Sequence, residues 1–187
     1  FILYIVISKH QLDLQNRQDQ TKKTQVSQVT TKKKKETVPT VEPEEELLAK
    51  PIVDLSGWQL PSEIDYDTLS ENISGAIIRV HSGAQAKKEN VATHLNGLDK
   101  SFATHIEEFQ KRGIPVAVYA YIAAGSIKEM EKEAESFYKA SSKYKPTFYW
   151  LDVEEKTMND MNAGVEAFRA KLESLGAQNI GIYIGTY

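Results

Sequence analysis

The chain has 187 residues, is 41% hydrophobic and 26% charged, and carries a formal net charge of −3. That length supports one sizeable core and is short for two, and the charge excludes strong generic affinity for nucleic acid. The absence of cysteine excludes a disulfide framework, a Cys-based zinc site, a thiol nucleophile and lipid attachment through an N-terminal Cys.

Composition divides the chain near Pro51. Residues 1–50 hold none of the ten glycines, and their only aromatics are Phe1 and Tyr4. They carry nine of the 23 basic and seven of the 26 acidic residues, about +2, which leaves 14 basic and 19 acidic residues, about −5, after them. This pattern predicts a folded domain over 51–187 preceded by a tail. Phe1–Ile7 is an unbroken apolar run, shorter than the roughly 20 residues of a membrane span. Residues 1–8 read as the end of a signal peptide or membrane anchor. The following SKHQLD is not a small-x-small cleavage site, which favours an anchor; an ordinary strand or a disordered start is the alternative. Residues 9–50 are rich in Gln, Lys, Thr, Val and Glu, with a basic run at Lys32–Lys35 and an acidic one at Glu44–Glu46. They read as a disordered stalk or linker, spanning on the order of 35 Å as a flexible coil.

Strand-like runs follow at Ile52–Leu55, Ala76–Val80, Val116–Ile122, Phe148–Val153 and Ile180–Ile184. Helical stripes lie between most of them. Phe102, Ile106 and Phe109 form the first, ended by Lys111, Arg112, Gly113 and Pro115. Ile127, Met130, Ala134, Phe137 and Tyr138 form the second, with Ser126 as N-cap. Met158, Met161, Val165, Phe168, Leu172 and Leu175 form the third, with Thr157 as its cap and Gly176 at its end. Strands separated by helices predict parallel pairing and an α/β fold.

Side chains alternate along a strand. One face therefore collects Asp54, Arg79, His81, Tyr119, Tyr121, Asp152, Glu154 and Tyr183, all towards the C-terminal strand ends, where parallel α/β folds bind ligands. Asp152 and Glu154 stand two residues apart, about 6.6 Å along a strand. Two carboxyls that close at a partly buried site raise one pKa and make a general acid available near neutral pH. With Asp54 as a third, they are the equipment of glycoside hydrolysis. Trp58, Tyr119, Tyr121, Trp150 and Tyr183 offer stacking faces for sugars. The competing reading of DVEE is a plain helix start, where acids favour the dipole. His10, His81, His94 and His105 have no metal-ligand spacing, and His105 reads as covering a helix face. There is no GxSxG, GxGxxG or phosphate loop. No metal and no cofactor are expected.

Taken in order, IVDLSGWQ, GAIIRVHSG, Asp99 and Phe102 before a helix, GIPVAVYAYI, YWLDVEE and GIYIGTY resemble the family 25 glycoside hydrolases, the Chalaropsis-type lysozymes. The resemblance covers residues 51–187. It implies an incomplete TIM-like β/α barrel, with the first five strands present, that cleaves the β-1,4 bond between N-acetylmuramic acid and N-acetylglucosamine in peptidoglycan. It implies Glu154 as proton donor, Asp152 tuning Glu154 or orienting the N-acetyl group, and Asp54 on the pocket floor. Tyr121 then contacts substrate, with Tyr119, Arg79, Trp58 and Tyr183 as further binding residues. The family's nucleophile is the substrate's own N-acetyl oxygen, with net retention. Expected partners are peptidoglycan glycan strands and, through the anchor, a membrane, but no nucleic acid. The expected location is the extracellular side of the bacterial membrane or the cell wall. The family's domain continues past the strand matched by Ile180–Ile184, so the 187 residues are expected to be truncated at both ends, to leave an open sheet edge, and to fold poorly and show little activity alone. Two alternatives stay open. One is a non-catalytic wall-binding module on a stalk. The other is an N-acetylglucosaminidase or chitinase-like enzyme, against which Trp150 counts, because DxDxE strands carry Asp there.

Overall fold

The computed structural model describes residues 50–83 and 89–185. The anchor and stalk expected over 1–8 and 9–50 lie outside them, save Lys50. Among the described residues, no helix is long and apolar enough to cross a membrane.

Five parallel strands form one sheet in the order β1-β2-β3-β4-β5: β1 Ile52–Leu55, β2 Gly75–His81, β3 Val116–Tyr121, β4 Tyr149–Val153 and β5 Ile180–Ile184. Each strand pairs with the next in sequence. This is the order of a β/α barrel opened between its fifth strand and its first, and not the doubled-back order of a doubly wound sheet. β1 and β5 are the edges, as expected from the sequence. All five strand readings fall within two residues of these bounds.

Helices α1 Tyr66–Glu71, α2 Phe102–Lys111, α3 Ile127–Ser141 and α4 Met161–Leu175 connect them, with 3-10 turns at Pro61–Glu63 and Ser142–Tyr144. The apolar stripes read from the sequence supply the buried faces, save Ile127, which is 40% exposed at the start of α3. Ile106 and Phe109 of α2, Met130, Ala134 and Phe137 of α3, and Phe168 and Leu172 of α4 join Ile78, Val80, Val118, Ala120 and Leu151 of the strands in one core. Ser126 caps α3 through the amide of Glu129 at 3.3 Å. The cap of α4 is Asp160, whose carboxylate accepts from the Ala163 amide at 3.0 Å. Thr157, the cap expected from sequence, instead donates to the carbonyl of Ala124 at 2.6 Å and ties the loop after β4 to the loop after β3. The helix starts later because an Asp with a free amide three residues on is also a good cap, and Thr157 is occupied.

His105 of α2 is fully buried. The Tyr66 hydroxyl donates to its Nδ1 at 2.7 Å, and its Nε2 faces the carbonyls of Ser56 at 3.2 Å and Gln59 at 3.1 Å. Both carbonyls are acceptors, so Nε2 carries the proton and the ring is neutral. Burial keeps it neutral by lowering its pKa. This histidine does more than cover a helix face: it clamps the loop that follows β1.

Candidate active site

Register brings the polar residues of one sheet face into rows. Arg79, Tyr119, Trp150 and Gly181 are successive cross-strand partners, and Tyr121, Asp152 and Tyr183 form the next row. Asp54 enters from β1 opposite Ile77. Asp54, Ile77, Tyr119, Trp150, Asp152, Glu154 and Tyr183 line one pocket of 270 Å³ at the C-terminal end of the sheet. Five of the eight site residues read from the sequence thus meet there, and Trp150 joins them.

The other three lie elsewhere. The Tyr121 hydroxyl donates to Glu155 Oε1 at 2.5 Å. Trp58 stands on the loop after β1 and is 59% exposed. Arg79 does not line the pocket; its guanidinium pairs with Asp99, with Nε and Nη2 each 3.2 Å from Oδ2. His81, placed by alternation on the site face, leaves it. A register shift between Arg79 and His81 sets Arg79 opposite Tyr119 but His81 opposite Ala120. One extra residue inverts the parity of every side chain beyond it. His81 is buried against the next loop, where its Nδ1 accepts from the Gly83 amide at 3.1 Å and burial lowers its pKa to about 4.

Electrostatics separates the carboxyls. Asp152 is pushed up to about 7, first by burial and then by the charges of Glu154 and Asp54, against the opposing pull of Arg79. Its Oδ1 is buried with no hydrogen-bond partner, a state that favours the neutral acid over the anion. Burial also raises Asp54, but its hydrogen bond from Tyr119 and the charge of Arg79 work the other way. The Tyr119 phenol is held well above its ordinary range by burial and by Asp54, so it stays protonated and donates. The sequence reading asked for one raised carboxyl near neutral pH, and the group that carries it is Asp152.

The helix-start reading of DVEE does not survive. α4 begins at Met161 with its own cap, Asp160, so Asp152 and Glu154 lie outside its first turn, where the dipole acts. Glu154 also borders an open groove of 620 Å³ over the loop after β4, lined in part by Lys156, Asn159 and Asn162. Among the described residues no set of three or more His, Cys, Asp or Glu side chains is arranged to hold a metal ion.

Two residues of the site escaped the sequence reading. Gly181 lies beneath Trp150: a Cβ there would come within 2.3 Å of the indole, and Phe148 stacks on the same ring at 5.6 Å and 21°. A glycine inside a strand signals such a close approach. Asp99 is the other. It is 1% exposed and accepts from the Gly57 amide at 2.6 Å and the Ser101 amide at 2.8 Å as well as pairing with Arg79.

No protein-family model and no curated sequence matches the chain. Solved structures do. A protein described as GHIP, a virulence factor and glycosyl hydrolase 25 of Streptococcus pneumoniae participating in host cell invasion, is 67% identical over 74% of this chain, with a TM-score of 0.72. The catalytic domain of the endolysin ply40, from bacteriophage P40 of Listeria monocytogenes, shares the fold at 24% identity over 72% of the chain (TM-score 0.60). The modular autolysin LytC of Streptococcus pneumoniae does so at 22% over 73% (TM-score 0.56). A parallel β/α sheet whose carboxyls gather at the C-terminal strand ends, with two-thirds sequence identity to such an enzyme, places the chain among the glycosyl hydrolases. Within them, it belongs to family 25. It spans 60% of the first relative's length, 62% of the second's and 32% of the third's.

Two measurements check this geometry. Gly181→Ala forces the Trp150 ring off β5; overpacking of this kind costs about 1–3 kcal/mol, read as a lower melting temperature together with altered indole fluorescence. For Asp152, the folded pKa of about 7 lies above the 3.8 of an ordinary aspartate. The folded state therefore holds a proton that the unfolded state has lost, so stability falls as pH rises from about 4 to about 7 and stays lower above that. Asp152→Asn removes the penalty. Its stability relative to wild type, followed by denaturant unfolding, should gain on the order of 2 kcal/mol between pH 4 and pH 8; a difference that does not change with pH counts against a raised Asp152.

Proposed function

We propose that the protein is a lysozyme of the N-acetylmuramidase type, hydrolysing the β-1,4 bond between N-acetylmuramic acid and N-acetylglucosamine in bacterial peptidoglycan, with Glu154 as general acid. The observation that carries this reading is the shared pocket of Asp54, Asp152 and Glu154 on a chain 67% identical to a family 25 glycosyl hydrolase. LytC's structure has also been solved with a synthetic peptidoglycan ligand. That structure is 21% identical to this chain, so it supports the shape of the cleft and not its specificity.

In the proposed reaction Glu154 gives its proton to the oxygen leaving C1 of the muramic acid, and the C1–O bond breaks. The acetamido oxygen of the same sugar bonds to C1 as the charge develops there. Water then attacks C1 and returns a proton to Glu154 as the bond from C1 to the acetamido oxygen breaks, which restores the acetamide and leaves a reducing muramic acid end with net retention. Asp152 sits one strand-repeat from Glu154, where its carboxyl orients the acetamido group. Asp54, held by a hydrogen bond from Tyr119, faces the oxocarbenium-like transition state with its carboxyl group. Tyr119, Trp150 and Tyr183 give the sugar ring its walls, and Tyr121, Arg79 and Trp58 support the site from outside the pocket. Domain organisation follows the same proposal: a family 25 domain from residue 51 behind a tail that holds it near the membrane or wall.

The test uses the full-length protein on purified peptidoglycan, wild type beside Glu154→Gln, with new reducing ends identified by mass spectrometry. Loss of a general acid costs on the order of 10²–10⁴ in rate, so muramic acid ends should form with wild type and fall by that factor in the variant. The basic limb of kcat/KM is expected near pH 7, where Asp152 loses its proton. New glucosamine ends would move the reading to an N-acetylglucosaminidase. Absence of new ends from folded protein would move it to a wall-binding module.

A further inference from the structure

Arg79 has three acids within electrostatic reach. Its charge acts on Asp54 and on Asp152, yet its ion pair goes to Asp99, through Nε and Nη2. Asp99 is well equipped to hold it. The carboxylate is buried, and the Gly57 and Ser101 amides fix both of its oxygens from two different chain segments. Each amide stabilises the ionised form, and a carboxylate held by fixed donors cannot turn to follow a moving cation. The Gly57 amide and the guanidinium share the same oxygen, Oδ2.

The geometry points to Asp99 as a positioning residue that withholds Arg79 from the catalytic carboxyls. Held by Asp99, the guanidinium stays partly neutralised and off the pocket lining. Released, it has Asp54 and Asp152 as the remaining acids within reach, and a bidentate pair with either is the strong contact for a guanidinium. Such a pair would strip Asp152 of its proton near neutral pH. The inference rests on the reading of the pocket as catalytic, but it concerns a proton equilibrium that exists without substrate. The groups facing Asp152 are Asp54 from β1, Arg79 from β2, Tyr119 and Tyr121 from β3, Glu154 from its own strand and Tyr183 from β5. Among them Arg79 is the cation, so its distance sets the attraction that opposes the burial and the two acids raising Asp152.

The same carboxylate also fixes the loop that carries Trp58, since the Gly57 amide is one of its donors. A purely structural role for Asp99 would therefore be visible as loss of stability alone. The positioning role predicts something further: a change in the Asp152 titration that depends on Arg79.

The experiment is a carboxyl NMR titration of Asp152 in the full-length protein, in wild type, Asp99→Asn, Arg79→Gln and the double variant, with each fold checked by its amide spectrum. Opposite charges at close range shift a carboxyl by about 1–3 units. Asp99→Asn should lower the Asp152 midpoint by about one pH unit, a tenfold loss of proton affinity. Arg79→Gln should raise it. The double variant should match Arg79→Gln, because without Arg79 there is nothing for Asp99 to withhold. Should Asp99→Asn unfold against the Gly57 and Ser101 amides, Asp99→Ser leaves room for water there and carries the same expectation. An unmoved or raised midpoint on neutralising Asp99 overturns the proposal, as does an equal lowering with and without Arg79. Because the titration needs no turnover, it stands or falls separately from the hydrolysis test.

Discussion

The ion pair between Arg79 and Asp99 fixes where a cation stands among the acids at this end of the sheet. Asp54, Asp99 and Asp152 all feel that cation. They differ in depth, with Asp99 buried, Asp152 half-buried and Asp54 exposed, and they differ in hydrogen bonding. Asp99 receives two backbone amides, Asp54 receives one phenol, and Asp152 Oδ1 receives nothing. Donors stabilise a carboxylate, and their absence leaves burial to dominate. Asp152, with its unpartnered oxygen, is the acid pushed up to about 7, while the guanidinium is committed to Asp99, which already holds two amides. A site with the cation placed on Asp152 would have the same composition and a different proton inventory.

The walls of the pocket depend on backbone approaching side chain. Trp150 lies on β5 where a Cβ is missing, and its ring is held from the other side by Phe148. Gly57 lies so close to Ala92 and Asp99 that a Cβ would fall 2.4 Å from the Ala92 carbonyl oxygen and 2.9 Å from the Asp99 carboxylate. These approaches join segments far apart in sequence: the loop after β1 with residues 92–101, and β4 with β5. They leave the Trp150 ring and the Asp99 carboxylate little room to shift, and groups fixed in advance are what preorganised electrostatics requires.

Much of this was legible in the sequence because alternation along a strand is a local, two-fold rule. It set Asp54, Tyr119, Asp152, Glu154 and Tyr183 on one face, and they share one pocket. It failed at His81, where a register shift inverts the parity, and nothing in RVHSG announces a bulge. Capping rules found Ser126 and Gly176 but chose Thr157 over Asp160, since both are good caps and the choice turns on the distant Ala124 carbonyl. Asp99 stood out in sequence only as part of a family pattern. Its work depends on partners at positions 57, 79 and 101, and no periodicity brings a loop residue back to a strand 20 positions earlier.

The strongest argument for a working site comes from what the carboxyls cost the fold. Asp152 is pushed up to about 7, chiefly by burial, so it makes the folded state less favourable than a neutral isostere would at pH 7. A helix start would excuse Asp152 and Glu154, but α4 starts at Met161 with another cap. A structural ion pair would excuse Asp152, but Arg79 is bound to Asp99. A satisfied polar core would excuse it too, but Oδ1 is unpartnered. With each structural role accounted for elsewhere, Asp152 and its buried, unpartnered Oδ1 are a local conflict that the rest of the fold tolerates, and such conflicts concentrate where chemistry is done.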